Sequence, residues 1–238
     1  MIIMKKSKIL LLAICVLTLF TGCGRLVSIT PTNSTSKTIT AFDDVPALFK
    51  AWRPLDFASG ESYRYAFEIF TGEYYVNGKL EFSVSGKAPA GLRFAWKFTI
   101  GKETFKGGYF GENTKFFNKF GEFCSENPIT AMVFEALVKP YEAASIYNIV
   151  VAKFDKFEVG VELETDHGGK KYYHKVESQS SFGGVDGYLI STSLDSVPQN
   201  VMCISPYTAF PTYSLYFSDK EENSDFYIMC NLEAAILP

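Results

Sequence analysis

The chain has 238 residues, 23 Lys+Arg against 26 Asp+Glu, a formal net charge of −3, and 16% aromatic residues. That length suits one domain with a sizeable core, or two small ones. The near-neutral, slightly acidic balance excludes the basic signature of a nucleic-acid binder and shows no electrostatic grip on anionic lipid. The aromatic content favours strands.

The chain opens with a positive segment, Lys5, Lys6 and Lys8, followed by twelve apolar residues from Ile9 to Phe20. Spanning a bilayer takes roughly 20 apolar residues, so this run reads as a signal sequence rather than a membrane helix. It closes on Leu19-Phe20-Thr21-Gly22-Cys23. A cysteine directly after Thr21-Gly22 resembles the lipobox of bacterial lipoproteins, although Phe20 stands where that motif usually has Leu. The resemblance implies a thioether-linked diacylglycerol on Cys23, cleavage before it, and acylation of the new N-terminus. The alternative is an ordinary secretory signal with an incidental cysteine. Removing residues 1–22 takes away three lysines and leaves 20 Lys+Arg against 26 Asp+Glu. The membrane would then be engaged through the lipid on Cys23 alone. Residues 23–41 are the anchor and a Ser/Thr-rich tether with little to bury. Residues 42–238 form a single domain.

Asp43 or Asp44 caps a short helix that Pro46 starts and Pro54 ends. Tyr63, Tyr65, Phe67 and Ile69 then alternate with polar or small residues, as a strand does. Asn77-Gly78 lies between two strand-like runs and predicts a hairpin turn. Leu80, Phe82 and Val84 form the next alternation. Leu92, Phe94, Trp96, Phe98 and Ile100 form the clearest one. Gly101-Lys102 turns into another strand near Glu103 to Lys106. Gly107-Gly108 and Gly111 interrupt an aromatic stretch that runs on to Phe123.

Asn127-Pro128 reads as a helix start, with Ile129, Met132, Val133, Ala136 and Leu137 at helical spacing. Pro140 ends or kinks this helix, and a second short one is expected at 141–147. Phe157, Val159, Val161 and Leu163 resume the strand pattern. Asp166 to Gly169 is a turn, Lys170 to Ser178 the returning strand. Gly183-Gly184 and Asp186-Gly187 are read as turns around a strand at Tyr188 to Ser193. Residues 213–218 and 226–232 make a last hairpin. The order predicts an α+β domain: a strongly curved antiparallel sheet, an open half-barrel, with a short N-terminal helix and a helical insert packed on it.

Motifs for chemistry are sparse. Cys124, Cys203 and Cys230 remain after the signal and Cys23 are set aside. Cys203 and Cys230 pair if their strands are neighbours; otherwise all three are buried thiols. No C-x-x-C is present, so no zinc or redox motif is indicated. His167 and His174 are expected to be exposed, with Asp166 and Glu164 near. Glu158, Glu162 and Glu164 share one strand face and read as solvated residues. No nucleophile elbow and no phosphate-binding glycine loop occurs. The chain is therefore read as non-enzymatic, with no cofactor and no metal. A hydrolase reading has only Asp166, His167 and His174 to offer.

In element order, from Leu92–Ile100 and Asn127-Pro128 through Leu137, the chain is similar to the LolA-like lipoprotein carriers and the mycobacterial lipoproteins that carry lipids. The resemblance implies an unclosed β-barrel whose apolar hollow is lidded by helices. No binding residue carries over from that family; a hydrophobic or amphipathic ligand in a hollow between sheet and helices would meet the inward residues Phe82, Phe94, Trp96, Phe98, Met132 and Val133. The alternative is a surface interaction module with a filled core, its protein or polymer partner unknown, marked by an exposed patch among Tyr74, Tyr75, Tyr172, Tyr173 and Tyr207. The expected location is the bacterial cell envelope, on the extracytoplasmic side.

Overall fold

Alternating side chains dictate strands, and the computed structural model shows ten among the described residues. It describes residues 56–86, 91–138, 158–167, 169–217 and 226–238. The N-terminal helix, the segment after Pro140 and the signal region lie outside the described residues. The strands are β1 (Ser62–Thr71), β2 (Tyr75–Gly86), β3 (Leu92–Ile100), β4 (Glu103–Gly111), β5 (Glu162–His167), β6 (Lys170–Phe182), β7 (Val185–Leu194), β8 (Val197–Ile204), β9 (Tyr213–Phe217) and β10 (Phe226–Ile236). Helix α1 (Asn113–Cys124) and helix α2 (Pro128–Val138) lie between β4 and β5 in the chain.

All ten strands join one open antiparallel sheet in the order β4-β3-β2-β1-β10-β9-β8-β7-β6-β5. The last strand pairs with the first, so the two chain halves meet at the sheet's centre. The sheet is coiled enough for the β6–β7 turn to reach β10, where a Cβ on Gly183 would lie 2.8 Å from Leu232 Cγ. Three bulges bend it, leaving Glu177, Gln199 and Glu233 as the extra, polar residues on their strands.

One face is apolar. Tyr63, Tyr65, Phe67 and Ile69 of β1, Leu80, Phe82 and Val84 of β2, and Phe94, Trp96 and Phe98 of β3 are all buried. Against them lie Phe116, Phe120 and Cys124 of α1, and Val133, Ala136 and Leu137 of α2. The N-terminus of α2 is set as its sequence dictates: Asn127 Oδ1 accepts hydrogen bonds from the N–H of Ile129 (2.9 Å) and of Thr130 (3.4 Å).

Three expectations are corrected. Asn77-Gly78 is not a turn but runs inside β2, with Gly78 opposite Phe67 and Ile100. The turn lies at Thr71–Tyr74, closed by Thr71 N–H to the Tyr74 carbonyl (3.0 Å) with Gly72 at φ 80°. Glycine is needed at 78 because a Cβ would lie 2.4 Å from Phe67 Cζ and 2.5 Å from the Thr99 carbonyl oxygen. Gly78→Ala is accordingly expected to destabilise the fold by about 1–3 kcal/mol, read from chemical denaturation. Asp186-Gly187 also lies within a strand, β7. The aromatic stretch after Gly111 is helix α1, whose Phe116, Phe120 and Cys124 repeat every four residues onto the core.

Candidate functional site

The residues expected to line a hollow come together in one layer. Phe94 stacks on Phe116 (4.5 Å between ring centroids), Phe82 lies 5.2 Å from Phe116, and Trp96 meets Phe120 edge-on at 5.1 Å. Phe98 stacks on Phe120 at 6.2 Å. Val133 is fully buried, and Met132 is partly buried against the same cluster. These centroid spacings are those of ring-to-ring contact. The space between β1–β3 and α1 is thus occupied by the protein's own side chains.

Two further rings close the layer at one end. Phe57 lies 4.9 Å from Phe210, and each contacts Phe82. Phe210 belongs to the β8–β9 connection, in which Thr208 to Thr212 are buried. Two tyrosines hold this segment. Tyr65 Oη donates to the Pro211 carbonyl (2.7 Å), and Tyr63 Oη accepts from the Ala209 N–H (3.3 Å) while donating to Glu61 Oε2 (2.9 Å). Burial pushes the Glu61 carboxyl above the usual carboxylate range, and burial beside Glu61 pushes the Tyr63 phenol well up. These contacts are all internal to the fold, as in a structural network.

The histidine expectation is corrected. His174 is 1% exposed, on the sheet face that also carries the aromatic core. Its Nε2 lies 2.9 Å from Thr165 Oγ1 and its Nδ1 3.0 Å from Thr192 Oγ1. Burial lowers its pKa to about 4, so the ring is neutral at pH 7. Asp166 is exposed, bonded through Oδ1 to the Gly169 N–H. Glu162 and Glu164 do share the outer face, paired with Lys175 (3.6 Å) and Lys171 (2.8 Å). Glu158 precedes the strand and leaves that row.

The three thiols are free and buried. Cys203 sits opposite Tyr213 and Cys230 opposite Ser214, which places their side chains on opposite faces of the sheet. A Cys203–Cys230 disulfide is ruled out by that geometry. Burial raises all three thiol pKa values, Cys203 to about 12, which removes the thiolate a nucleophile needs. Among the described residues no group of three or more His, Cys, Asp or Glu is placed to hold a metal ion, and no helix is long and apolar enough to cross a membrane.

The tyrosine patch is dispersed. Tyr74 and Tyr75 are exposed at the β1–β2 turn. Tyr173 is exposed on the outer face of β6, five strands from β1 in the sheet order. Tyr172, its neighbour in the strand, points to the other face, and Tyr207 is half-buried. The outer face instead carries charge. Arg64 and Lys79 bond Glu233 (3.0 and 3.1 Å), and Lys97 bonds Glu81. The feature missed from the sequence is the gathering of Arg93, Lys97 and Lys106 on one face, with Lys106 directly opposite Lys97, which strand register decides.

No family model and no curated protein matches this chain. Solved structures that it is similar to include MucB in complex with MucA(peri), at 7% identity and a TM-score of 0.39, covering 82% of this chain and 56% of that one. The MucA/MucB complex of Pseudomonas aeruginosa gives 7% and 0.40, covering 81% and 56%. A putative outer membrane lipoprotein-sorting protein domain from Vibrio parahaemolyticus gives 10% and 0.22, covering 82% and 91%. The chain spans little more than half the length of the MucB chains. Likenesses this distant decide neither partner nor ligand.

Proposed function

We propose that this chain is a bacterial envelope lipoprotein that acts as a non-enzymatic binding module. Residues 1–22 are its leader, acyl chains on Cys23 fasten it to a bilayer, and residues 24–41 let the folded domain stand off that surface. The observation that carries the choice of module is the filled aromatic layer under α1. A ligand lodged against Phe82, Phe94, Trp96 and Phe98 must displace Phe116 and Phe120. Uncovering one such ring costs about 3–5 kcal/mol by the measure of Phe-to-Ala substitutions. Binding is therefore assigned to the surface. Support for the non-enzymatic reading comes from the raised thiol pKa values and the neutral, threonine-held His174.

A second reading keeps an apolar ligand, because Val176, Ile190 and Met202 form a buried apolar set on β6–β8 apart from the helix-covered cluster. Two measurements test both. Cys23→Ser is expected to release the protein from membranes and to remove the acyl mass seen in intact-mass spectra of the parent. Lipidation by two or three chains anchors stably, so after a high-salt wash the shift in partition should be near complete. Native mass spectrometry of the released protein is expected to show the polypeptide alone. A stoichiometric co-purifying lipid would instead favour the apolar-ligand reading, and unchanged membrane association without acyl mass would reject the anchor.

A further inference from the structure

The chain's slight net charge conceals a separation of charge along the sheet. On the outer face of β2–β4 stand Lys79, Glu81, Arg93, Lys97 and Lys106, four bases against one acid. At the opposite edge, β5 and β6 carry Glu162, Glu164, Asp166 and Glu177 against Lys170, Lys171 and Lys175. Lys106 lies directly opposite Lys97 in register. Like charges so placed destabilise a sheet. Glu81 relieves Lys97 from the far side, and Glu233 holds Lys79. Arg93 and Lys106 are exposed, with no ion-pair partner among the described residues. Phe110, 58% exposed, stands opposite Arg93 on the same face. Between this pair and the Lys97–Lys106 pair lie Ala95 and Gly108, which leave the strand surface open.

The chain's path points the same way. Asn113, two residues beyond β4, donates through Nδ2 to Asp56 Oδ1 (2.7 Å) and to the Phe57 carbonyl (3.0 Å). Asp56 and Phe57, where the described residues begin, are therefore fixed near the Arg93–Phe110 end of the basic face.

We propose that the outer face of β3–β4, with Arg93, Lys97, Lys106 and Phe110, docks on an anionic phospholipid surface. The inference rests on the reading that Cys23 holds the protein at a bilayer, and it names the surface the module meets. Cations near an anionic leaflet are attracted within a Debye length, and an exposed phenylalanine at that depth buries its ring among headgroups. A lipid tether keeps the local concentration of the face high, so weak intrinsic binding suffices. The acidic β5–β6 edge is repelled by the same surface, which sets the orientation of the domain.

The test uses the full chain carrying Cys23→Ser, so that the acyl anchor contributes nothing, and vesicle co-sedimentation. Association is expected with phosphatidylcholine–phosphatidylglycerol vesicles, not with phosphatidylcholine alone, and it should weaken as salt rises. Arg93→Glu/Lys97→Glu/Lys106→Glu should lower it by about 100-fold or more, taking about fivefold per base. The milder Arg93→Gln/Lys106→Gln, which leaves the Lys97–Glu81 pair intact, should lower it by about 25-fold. Phe110→Ser should weaken it further, and Lys171→Glu/Lys175→Glu on β6 should not. All variants share the same N-terminal segment, so its own affinity cancels. Equal binding by the neutral pair, equal binding to phosphatidylcholine, or binding to soluble polyphosphate without binding to vesicles would overturn the proposal. Absence of acyl mass on the parent would end the anchor reading while leaving the vesicle result to be judged alone.

Discussion

Phe116→Ala is expected to lower the unfolding free energy by about 3–5 kcal/mol. Phe116 is fully buried, and its ring contacts Phe57 (5.4 Å), Phe82 (5.2 Å), Phe94 (4.5 Å), Trp96 (5.9 Å) and Phe120 (5.3 Å). Truncation removes a ring from two strands, the Phe57 segment and its own helix together, and leaves a cavity whose walls are themselves rigid rings. Phe117, next in the helix and only partly buried, should cost much less when truncated. Guanidinium denaturation of the two variants checks the contrast. A loss below about 1 kcal/mol for Phe116→Ala would mean that the layer is not solid, and the hollow would return as a ligand site.

The second large effect is on acid stability, through His174. Its folded pKa is about 4, against roughly 6.5 for an unperturbed histidine. The unfolded chain therefore takes up a proton that the folded chain refuses. Stability from this residue is intact above about pH 6.5, falls as pH drops through the window to about 4, and is lost below it. The full span is on the order of 3 kcal/mol. Replacing His174 by Gln removes the titration while keeping groups able to bond Thr165 and Thr192. The variant is expected to be less stable than the parent at pH 7 but to lose less between pH 6.5 and 4.5. Glu61 acts in the opposite sense. Its folded pKa is raised, so its contribution is present at low pH and lost as pH rises through that folded value. Because both proteins carry Glu61, the difference between their pH profiles isolates His174. Parallel profiles would refute a buried neutral ring.

Much of the strand framework was legible in residue order. Leu92 to Ile100 alternates so regularly that β3 matches residue for residue, and Asn127-Pro128 starts α2 where its side-chain amide can cap. These are local signals: a side chain's face follows from its parity, and a cap bonds two or three residues away. Helix α1 was hidden because Gly107-Gly108 and Gly111 read as breakers, whereas β4 runs straight through the first two and the helix begins just past the third. The four-residue repeat of Phe116, Phe120 and Cys124 was the available sign of it.

Asn77-Gly78 and Asp186-Gly187 misled for a different reason. Each glycine answers to a neighbour distant in the chain: Phe67 and Thr99 press on position 78, and the Ile204 carbonyl lies 2.3 Å from where a Cβ on 187 would stand. A turn dipeptide signals a turn only when no such approach competes for it. The candidate site divides in the same way. Phe82, Phe94, Trp96 and Phe98 share one face, since parity along each strand decides that. Whether helices or a ligand filled the space beside them depended on α1 folding back over the sheet, a long-range event that no spacing records. The basic face is the extreme case: Arg93, Lys97 and Lys106 lie within fourteen residues of sequence, yet the chain's overall charge argued against any cationic surface. Local patterning settles which way a side chain points, because the backbone period is short. Register and packing settle what it meets, because they bring together residues whose separation along the chain carries no signal.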